Sequence, residues 1–254
     1  MKVLVLVKRV PAPGAKINIT PDEQAVDTKN LGFAMSPHEE CGVELAVQLV
    51  EAHGGESTVM TLGGQEAEEQ LRYAVSLGVD NAVLVQADTD DWDPMATAAA
   101  LAGAITEAEA GEPFDLIIFG NESADSGGYQ VGIRAAHALG RPIVSGIKAI
   151  ETDGDQIRAR RQTVAGLEEY RLTMPAIVAV KEGITLPRYP TMKGRLNARK
   201  ADVKASSQPH TPGGQKKIRL IPAPETVSNT VVLGEGVESA GKIVDLLVEL
   251  GVLT

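Results

Sequence analysis

Cysteine and aromatic residues are scarce in this chain. Its 254 residues include one cysteine, Cys41, and only 3% aromatic residues. A single cysteine excludes an internal disulfide framework and any zinc or iron-sulfur site with several cysteine ligands. Because 43% of the residues are hydrophobic although few are aromatic, Ala, Val, Leu and Ile must build the core. The length suits one large α/β domain, alone or with an appendage.

Long apolar runs and clustered histidines are also missing. No apolar run approaches 18 residues, and the stretch from Met1 to Val7 is too short for a signal sequence and lacks a cleavage site. We therefore expect a cytoplasmic protein without membrane insertion, whose first residues form a strand. The histidines are scattered without metal-ligand spacing, so no metal site is expected. They are His38, His53, His137 and His210.

The charge of the chain is unevenly distributed. The formal net charge is -10, yet the segment from Leu186 to Leu220 carries nine Lys or Arg residues and one acid, so its own net charge is +8. A basic segment on an acidic body indicates an interaction surface. Apart from Tyr189, no aromatic residue is interleaved with the basic residues, and no DNA-reading helix motif is present. Nucleic acid is therefore not the expected partner.

Strand-like and helix-like segments alternate through the first 140 residues, which is typical of a parallel sheet with crossover helices. The predicted strands are Lys2–Val7, Ser57–Thr61, Ala82–Gln86 and Phe114–Phe119, and the predicted helices begin near Ser36, Gln65, Met95 and Ile133. A long loop from Lys8 to Met35 follows the first strand. The acidic run from Asp88 to Asp93 lacks the glycine and the distal glutamate of a calcium loop, so we expect a solvated loop there.

After Gly140 the pattern changes to short strands separated by turns. These segments predict antiparallel hairpins that complete the sheet at one edge; they are Ile147–Thr152, Gln156–Gln162, Leu167–Leu172 and Pro175–Val180. Beyond residue 184 we expect a loop, a polar stretch to Gln215 and a final helix, Glu238 to Leu250, with one apolar face that docks on a surface. The sequence thus predicts an open, mostly parallel α/β domain over 1–183 and an extension over 184–254.

A glycine-rich stretch, Gly120 to Gly132, follows the strand Phe114–Phe119 and precedes a helix. Such a junction presents backbone N–H groups and the positive end of a helix dipole, which suit a phosphate or a pyrophosphate. A glycine-rich turn is equally an ordinary way for an α/β domain to turn a corner. The stretch by itself leaves both interpretations open.

Six segments together resemble the beta subunit of electron transfer flavoprotein, in that family's order and spacing. They are V-L-V-K-R-V from Val5, M-S-P-H-E from Met35, A-V-S-L-G-V-D from Ala74, G-N-E-S-A-D from Gly120, G-L-E-E-Y-R-L-T-M-P-A from Gly166 and P-R-Y-P-T from Pro187. The resemblance implies a Rossmann-like adenine-nucleotide-binding fold and a heterodimer with a larger alpha subunit that carries the redox-active FAD. It also implies that this chain binds AMP, or in electron-bifurcating members a second FAD.

The resemblance assigns the nucleotide site to four segments of this sequence. They are Leu6; Ser36, Pro37, His38 and Glu39; Leu62 and Gly63; and Gly120, Asn121, Glu122, Ser123, Ala124, Asp125, Ser126, Gly127, Gly128, Tyr129, Gln130 and Val131. The first three segments and the glycine-rich stretch lie at strand ends or helix starts, where an open α/β sheet binds its ligands.

The resemblance further implies a protruding loop, residues 184–200, that grips flavin-dependent dehydrogenases. Its anchor is Met192 here, where other members have leucine, and a flexible apolar side chain can keep that role. The other partner-binding positions are Tyr189, Lys193, Arg195 and Arg199, with Lys200 beside them. The basic side chains would steer an acidic partner.

Two departures from the family pattern bear on the ligand. The glycine-rich stretch contains Asp125-Ser126-Gly127 and Gln130-Val131-Gly132, of which the second is closer to bifurcating members. Pro13 stands where some members place an aromatic residue against the alpha-subunit flavin, and proline cannot stack in that way.

The resemblance favours an electron carrier subunit, not an enzyme, which passes electrons from dehydrogenases through FAD to a downstream acceptor. A bifurcating flavoprotein with a second FAD is the first alternative. The second is an ATP-using enzyme of the same fold, but enzymes of the pyrophosphatase type place Ser-Gly-Gly directly after the first strand. This chain has Lys8-Arg9-Val10-Pro11 there.

Overall fold

The computed structural model describes residues 1–87, 92–224 and 230–253. Most of the predicted acidic loop, residues 88–91, lies outside the described residues. The chain divides into two compact units, Met1–Leu220 and Ile221–Thr254.

A seven-stranded sheet forms the centre of the first unit. The strands are β1 (Lys2–Leu6), β4 (Glu56–Gly63), β5 (Asn81–Gln86), β6 (Leu116–Gly120), β7 (Ile143–Ile147), β11 (Ala176–Val180) and β12 (Val203–Ser207). All neighbouring strands are parallel, and their order is β12-β5-β4-β1-β6-β11-β7. The predicted α/β class with a mostly parallel sheet is confirmed.

Helices cover both faces of this sheet. They are α1 (Pro37–His53), α2 (Glu68–Leu77), α3 (Pro94–Glu109), α4 (Gln130–Leu139) and α5 (Met192–Lys200). Successive residues of a strand point to opposite faces, and β1 follows this rule: Val3 and Val5 pack in one apolar cluster with residues of α1 and α2. Leu4 packs in the other cluster with residues of α3 and α4. The core therefore lies in two layers, one on each side of the sheet.

Small residues allow the helices to approach the sheet closely. A Cβ added at Gly42 of α1 would lie 3.2 Å from Ile118 Cγ2 of β6. On the other face, α3 contributes Ala98, Leu101 and Ala104 to the core. Aliphatic and small residues thus do the packing that aromatic side chains do in many domains, as the composition requires.

The predicted antiparallel hairpins are present and form a sheet of their own. Its strands are β8 (Ala149–Asp153), β9 (Gln156–Thr163) and β10 (Gly166–Thr173). The expectation that Pro175–Val180 belongs with them is wrong, because β11 lies in the main sheet and is parallel to β6 and β7. All five residues of β11 are buried, which is typical of a parallel strand covered on both faces.

The segment beyond residue 184 is more regular than predicted. It contains α5 and then β12, which pairs with β5 and completes the main sheet. The predicted boundary between residues 183 and 184 falls inside the first compact unit, because β12 needs the edge of β5 for its hydrogen bonds. The long loop after β1 contains one short antiparallel pair, β2 (Val10–Pro11) and β3 (Phe33–Ala34).

The second unit contains a short 3₁₀ turn and the helix α6 (Ser239–Glu249), close to the predicted Glu238–Leu250. Within the described ranges, no helix combines the length and the apolar character needed to cross a membrane.

Candidate functional site

The order of the strands creates a switch point beside β1. The chain passes from β1 to β4 and β5 on one side, and then returns to β6 on the other side of β1. At such a point the connections leave the sheet in opposite directions, and open α/β sheets bind ligands at the carboxyl ends of the strands there. The predicted residues Leu6, Leu62, Gly63 and Gly120 are the last residues of β1, β4 and β6.

The start of α1 closes one side of this switch point. Ser36 is the N-cap, and the Glu39 carboxylate accepts hydrogen bonds from the backbone N–H groups of Ser36 (3.3 Å) and Lys8 (2.9 Å). Glu39 thereby connects the first turn of α1 with the residue that follows β1 by two positions. Its side chain is buried, and this burial raises its pKa to about 8, although the two N–H groups and Lys8 oppose the shift.

Gly120 is needed for this arrangement. A Cβ at this position would lie 2.7 Å from Glu39 Cγ and 3.4 Å from His38 Cβ. A contact of 2.7 Å between carbon atoms is not tolerated, so any larger residue would displace α1 from the end of β6.

The glycine-rich stretch after β6 folds into a tight loop held by its own side chains. Ser123 Oγ accepts a hydrogen bond from Gly128 N (3.1 Å), and the Ser123 carbonyl accepts one from Gly127 N (3.0 Å). Gly127 has φ of +62°, a conformation that favours glycine. The helix α4 begins at Gln130, three residues before the predicted Ile133, so the loop leads directly into a helix N-terminus.

A lysine that the sequence did not single out reaches this loop. Lys8 Nζ lies 2.7 Å from Asp125 Oδ2 and 3.4 Å from Ser126 Oγ. Burial raises the pKa of Asp125, but Lys8 and the local hydrogen bonds outweigh it and hold that pKa below its ordinary value. The sequence shows that Lys8 follows the first strand. It does not show that Asp125, 117 residues further along the chain, is the partner of Lys8.

The second acid of the loop is also paired. The Tyr129 hydroxyl and the His38 ring both donate to the Glu122 carboxylate, which holds the pKa of Glu122 below its ordinary value. The distance from His38 Nε2 to Glu122 Oε1 is 3.2 Å. His38 Nδ1 accepts a hydrogen bond from Glu182 N at 2.6 Å, so in the neutral ring the proton lies on Nε2.

The predicted nucleotide residues differ in exposure. Leu6, Ser36, Glu39 and Asn121 are buried, and Asn121 N donates to the carbonyl of Val180. The partly exposed members are Pro37, His38, Leu62, Gly63, Gly120, Glu122, Ser123, Gly128, Gln130 and Val131. The exposed members are Ala124, Asp125, Ser126, Gly127 and Tyr129. The structure thus brings the start of α1, the end of β1 and the loop after β6 into contact, with the end of β4 in the same row of strand ends.

The predicted partner-binding loop, residues 184–200, is a stretch without regular secondary structure followed by a helix, and not a loop throughout. Met192 is the first residue of α5, and the Thr191 hydroxyl caps this helix by accepting from Gly194 N (3.0 Å). Met192 and Tyr189 are 75% and 92% exposed, so both are free for contact with a partner. Lys193, Arg195, Arg199 and Lys200 are also exposed on α5.

Helix α1 holds this segment in place. The Arg188 guanidinium donates to Glu44 (2.8 and 3.0 Å) and to Glu51 (2.7 and 2.9 Å). The Thr185 hydroxyl donates to the carbonyl of Cys41 at 3.0 Å. These bonds fix residues 185–188 along α1 and leave the side chains of Tyr189 and Met192 exposed. Among the described residues, no group of three or more His, Cys, Asp or Glu side chains is placed to hold a metal ion.

Comparison with known proteins agrees with the fold. Residues 25–211 match the electron transfer flavoprotein domain. The chain is 32% identical to the electron transfer flavoprotein subunit beta of Bacillus subtilis, and the match covers 97% of both chains. It is 33% identical to the subunit beta of Syntrophomonas wolfei, over 87% of this chain and 84% of the relative. For the Mycobacterium tuberculosis subunit the identity is 33%, over 79% and 77%. The chain belongs to the electron transfer flavoprotein family, in which its relatives are beta subunits.

Proposed function

We propose that this chain is the beta subunit of a heterodimeric electron transfer flavoprotein and binds AMP as a structural nucleotide at the switch point of its sheet. With a larger alpha subunit it would share an FAD, which supplies the redox chemistry. Electrons would pass from flavin-dependent dehydrogenases through this FAD to a downstream acceptor. No residue of this chain is assigned a catalytic role.

One observation carries the nucleotide assignment. The glycine-rich loop enters α4 at the switch point, and every acid of its rim is either bonded to a protein partner or held protonated. Asp125 is paired with Lys8, and Glu122 with Tyr129 and His38. Glu39 is protonated at neutral pH because its pKa is about 8. A phosphate would therefore meet less negative charge at this loop than its three acids would otherwise present.

The residues present fit a phosphate group. The Lys8 amine is 43% exposed and, besides its bond to Asp125, has further N–H groups that can donate to a phosphate, and the side chains of Ser123 and Ser126 supply hydroxyl groups. Apart from Gly127 and its two chain neighbours, no described residue has an atom within 4 Å of the place that a Cβ of Gly127 would take, so a ligand can approach the backbone there. The N-terminus of α4 adds the positive end of its dipole.

The same geometry would accept the pyrophosphate of a second FAD. The residues Gln130-Val131-Gly132, at the start of α4, are the observation that favours this bifurcating alternative. Helix N–H groups and Lys8 serve a monophosphate or a diphosphate equally well, so the ligand must be identified chemically.

The ligand count decides between these alternatives. The chain should be produced together with its alpha subunit, and the released FAD and AMP should be measured per heterodimer by absorbance and mass spectrometry. We expect one FAD and one AMP. Two FAD would overturn the AMP assignment in favour of the bifurcating subunit, and absence of any adenine nucleotide from this chain would overturn the site itself.

A separate assay tests the ATP-using alternative. Incubation of the heterodimer with ATP should release neither ADP nor pyrophosphate. Catalytic release of either product would contradict the assignment as an electron carrier subunit.

A further inference from the structure

His38 lies between two segments that are distant in sequence. On one side its Nε2 donates to Glu122 in the glycine-rich loop (3.2 Å), and on the other its Nδ1 accepts from Glu182 N (2.6 Å). The ring is 19% exposed, so protein surrounds most of it. Both ring nitrogens are therefore used, each by a different segment.

The hydrogen bond to Glu182 connects His38 with the segment that carries Tyr189 and Met192, which we call the partner-facing segment. Glu182 follows β11 by two residues, and the chain then runs along α1, held by the bonds from Thr185 to Cys41 and from Arg188 to Glu44. Four residues of one helix, His38, Cys41, Glu44 and Glu51, thus fix the path from β11 to α5. His38 is the one nearest to the nucleotide loop.

The Glu122 side belongs to the glycine-rich loop. Glu122 accepts from His38 and from the hydroxyl of Tyr129, the residue before α4. A phosphate that orders this loop would therefore also fix the Glu122 carboxylate, and through it the orientation of the His38 ring.

We propose that His38 is a positioning residue that transmits the ordering of the nucleotide loop to the segment carrying Tyr189 and Met192. This inference rests on the proposed nucleotide site. Its physical basis is that one planar ring makes both hydrogen bonds, so that fixing one bond restricts the other. Nucleotide bound at the loop then stabilises the Glu182 end of the partner-facing segment without touching it.

Amide hydrogen exchange tests the proposal directly. The nucleotide-depleted heterodimer is compared with the same protein after addition of AMP, and exchange is followed in peptides covering residues 120–132 and 181–191. In the wild type we expect AMP to slow exchange in both peptides. For the Glu182 amide we expect an effect of about fivefold, the size that one hydrogen bond supports.

Two substitutions separate the two bonds of the ring. His38→Asn keeps an oxygen acceptor near the place of Nδ1 but loses the donor to Glu122, and His38→Gln keeps a donor near Nε2 but loses the acceptor for Glu182. In His38→Asn, Glu182 should be protected before AMP is added and should respond less than twofold. In His38→Gln, Glu182 should exchange about fivefold faster than in the wild type and should not respond to AMP.

His53 provides the matched control. It lies on the same helix and makes a side-chain hydrogen bond to Thr152 (2.8 Å), away from the loop. His53→Gln should retain the full response of residues 181–191 to AMP.

If AMP protects residues 120–132 but not Glu182 in the wild type, or if both His38 variants keep the response, His38 is not a coupling residue and the nucleotide site stands. If AMP does not protect residues 120–132, the nucleotide site fails and the coupling with it.

Discussion

At the scale of single residues, the candidate site depends on a few side chains that limit its negative charge. Glu39, Glu122 and Asp125 are acids at a place proposed for a phosphate. Asp125 is paired with a lysine, the ionised Glu122 accepts hydrogen bonds from Tyr129 and His38, and burial keeps Glu39 protonated. Each of these interactions involves only a few neighbouring side chains, so each can be tested by one substitution.

Glu39 should make the stability of the chain depend on pH. Its pKa is about 8 in the folded protein, against an ordinary value of 4.5. Between these values the folded state binds more protons than the unfolded state, so the contribution of Glu39 to the free energy of unfolding falls as the pH rises. Glu39→Gln removes this loss, and between pH 5 and pH 9 the variant should gain about 4 kcal/mol relative to the wild type, from about three pKa units at about 1.4 kcal/mol each.

Urea unfolding of both proteins at pH 5, 7 and 9 measures this difference. Glu112→Gln, at an exposed glutamate, should run parallel to the wild type. A constant difference between the wild type and Glu39→Gln across this range would show that Glu39 is ionised throughout.

Gly120 should not tolerate even alanine. The added Cβ would lie 2.7 Å from Glu39 Cγ, and the start of α1 would have to move. We expect Gly120→Ala to lower the free energy of unfolding by about 1–3 kcal/mol, the cost of overpacking a core, and to reduce bound nucleotide. Gly32→Ala, whose Cβ would meet its nearest neighbour at 3.7 Å, should leave both quantities near the wild-type level. Full nucleotide content in Gly120→Ala would contradict the role of this contact.

At the scale of secondary structure elements, α1 has two tasks. Its first turn closes the proposed nucleotide site, and its middle holds the partner-facing segment through Glu44 and Glu51. The two glutamates differ in environment, because the side chain of Glu44 is 3% exposed and that of Glu51 is 58% exposed. Both bind the same guanidinium, so the pair separates the effect of burial from that of charge.

Arg188→Met should therefore cost more than the loss of a surface ion pair, because it leaves the buried Glu44 without its cation. We expect the free energy of unfolding to fall by about 2 kcal/mol, below the range for fully buried pairs since Arg188 is itself partly exposed. Glu51→Ala should cost at most about 1 kcal/mol. Equal losses in denaturant unfolding of the two variants would show that burial of Glu44 has no special weight.

At the scale of the whole molecule, the nucleotide and the partner surface are separate features of one α/β unit. The proposed nucleotide site lies at the carboxyl ends of the strands, whereas Met192 lies at the start of α5 and the basic side chains follow on this helix. A change on α5 should therefore affect electron transfer without affecting the nucleotide.

Met192→Ala is expected to slow electron transfer from a dehydrogenase by about tenfold, because truncation of an exposed apolar anchor weakens docking. The content of AMP or FAD should be unchanged. Val164→Ala serves as the control, since Val164 is a fully exposed apolar residue in the turn between β9 and β10. Stopped-flow reduction of the flavin measures the rates, and equal rates for all three proteins would remove Met192 as the anchor.

The sequence by itself determined the fold class and most residues of the candidate site. Alternating apolar runs indicate parallel strands and crossover helices, and Ser36-Pro37-His38-Glu39 and the glycine-rich stretch mark the two helix starts, because capping and turn chemistry are local. Only the tertiary structure decided which distant groups meet. The pairing of Lys8 with Asp125 and of Glu182 with His38 depends on strand order. The strand β12 (Val203–Ser207) has a largely polar sequence and no apolar run, so only the free edge of β5 makes it a strand. Such pairings belong to no local pattern, since they exist only once the sheet has brought the strand ends together.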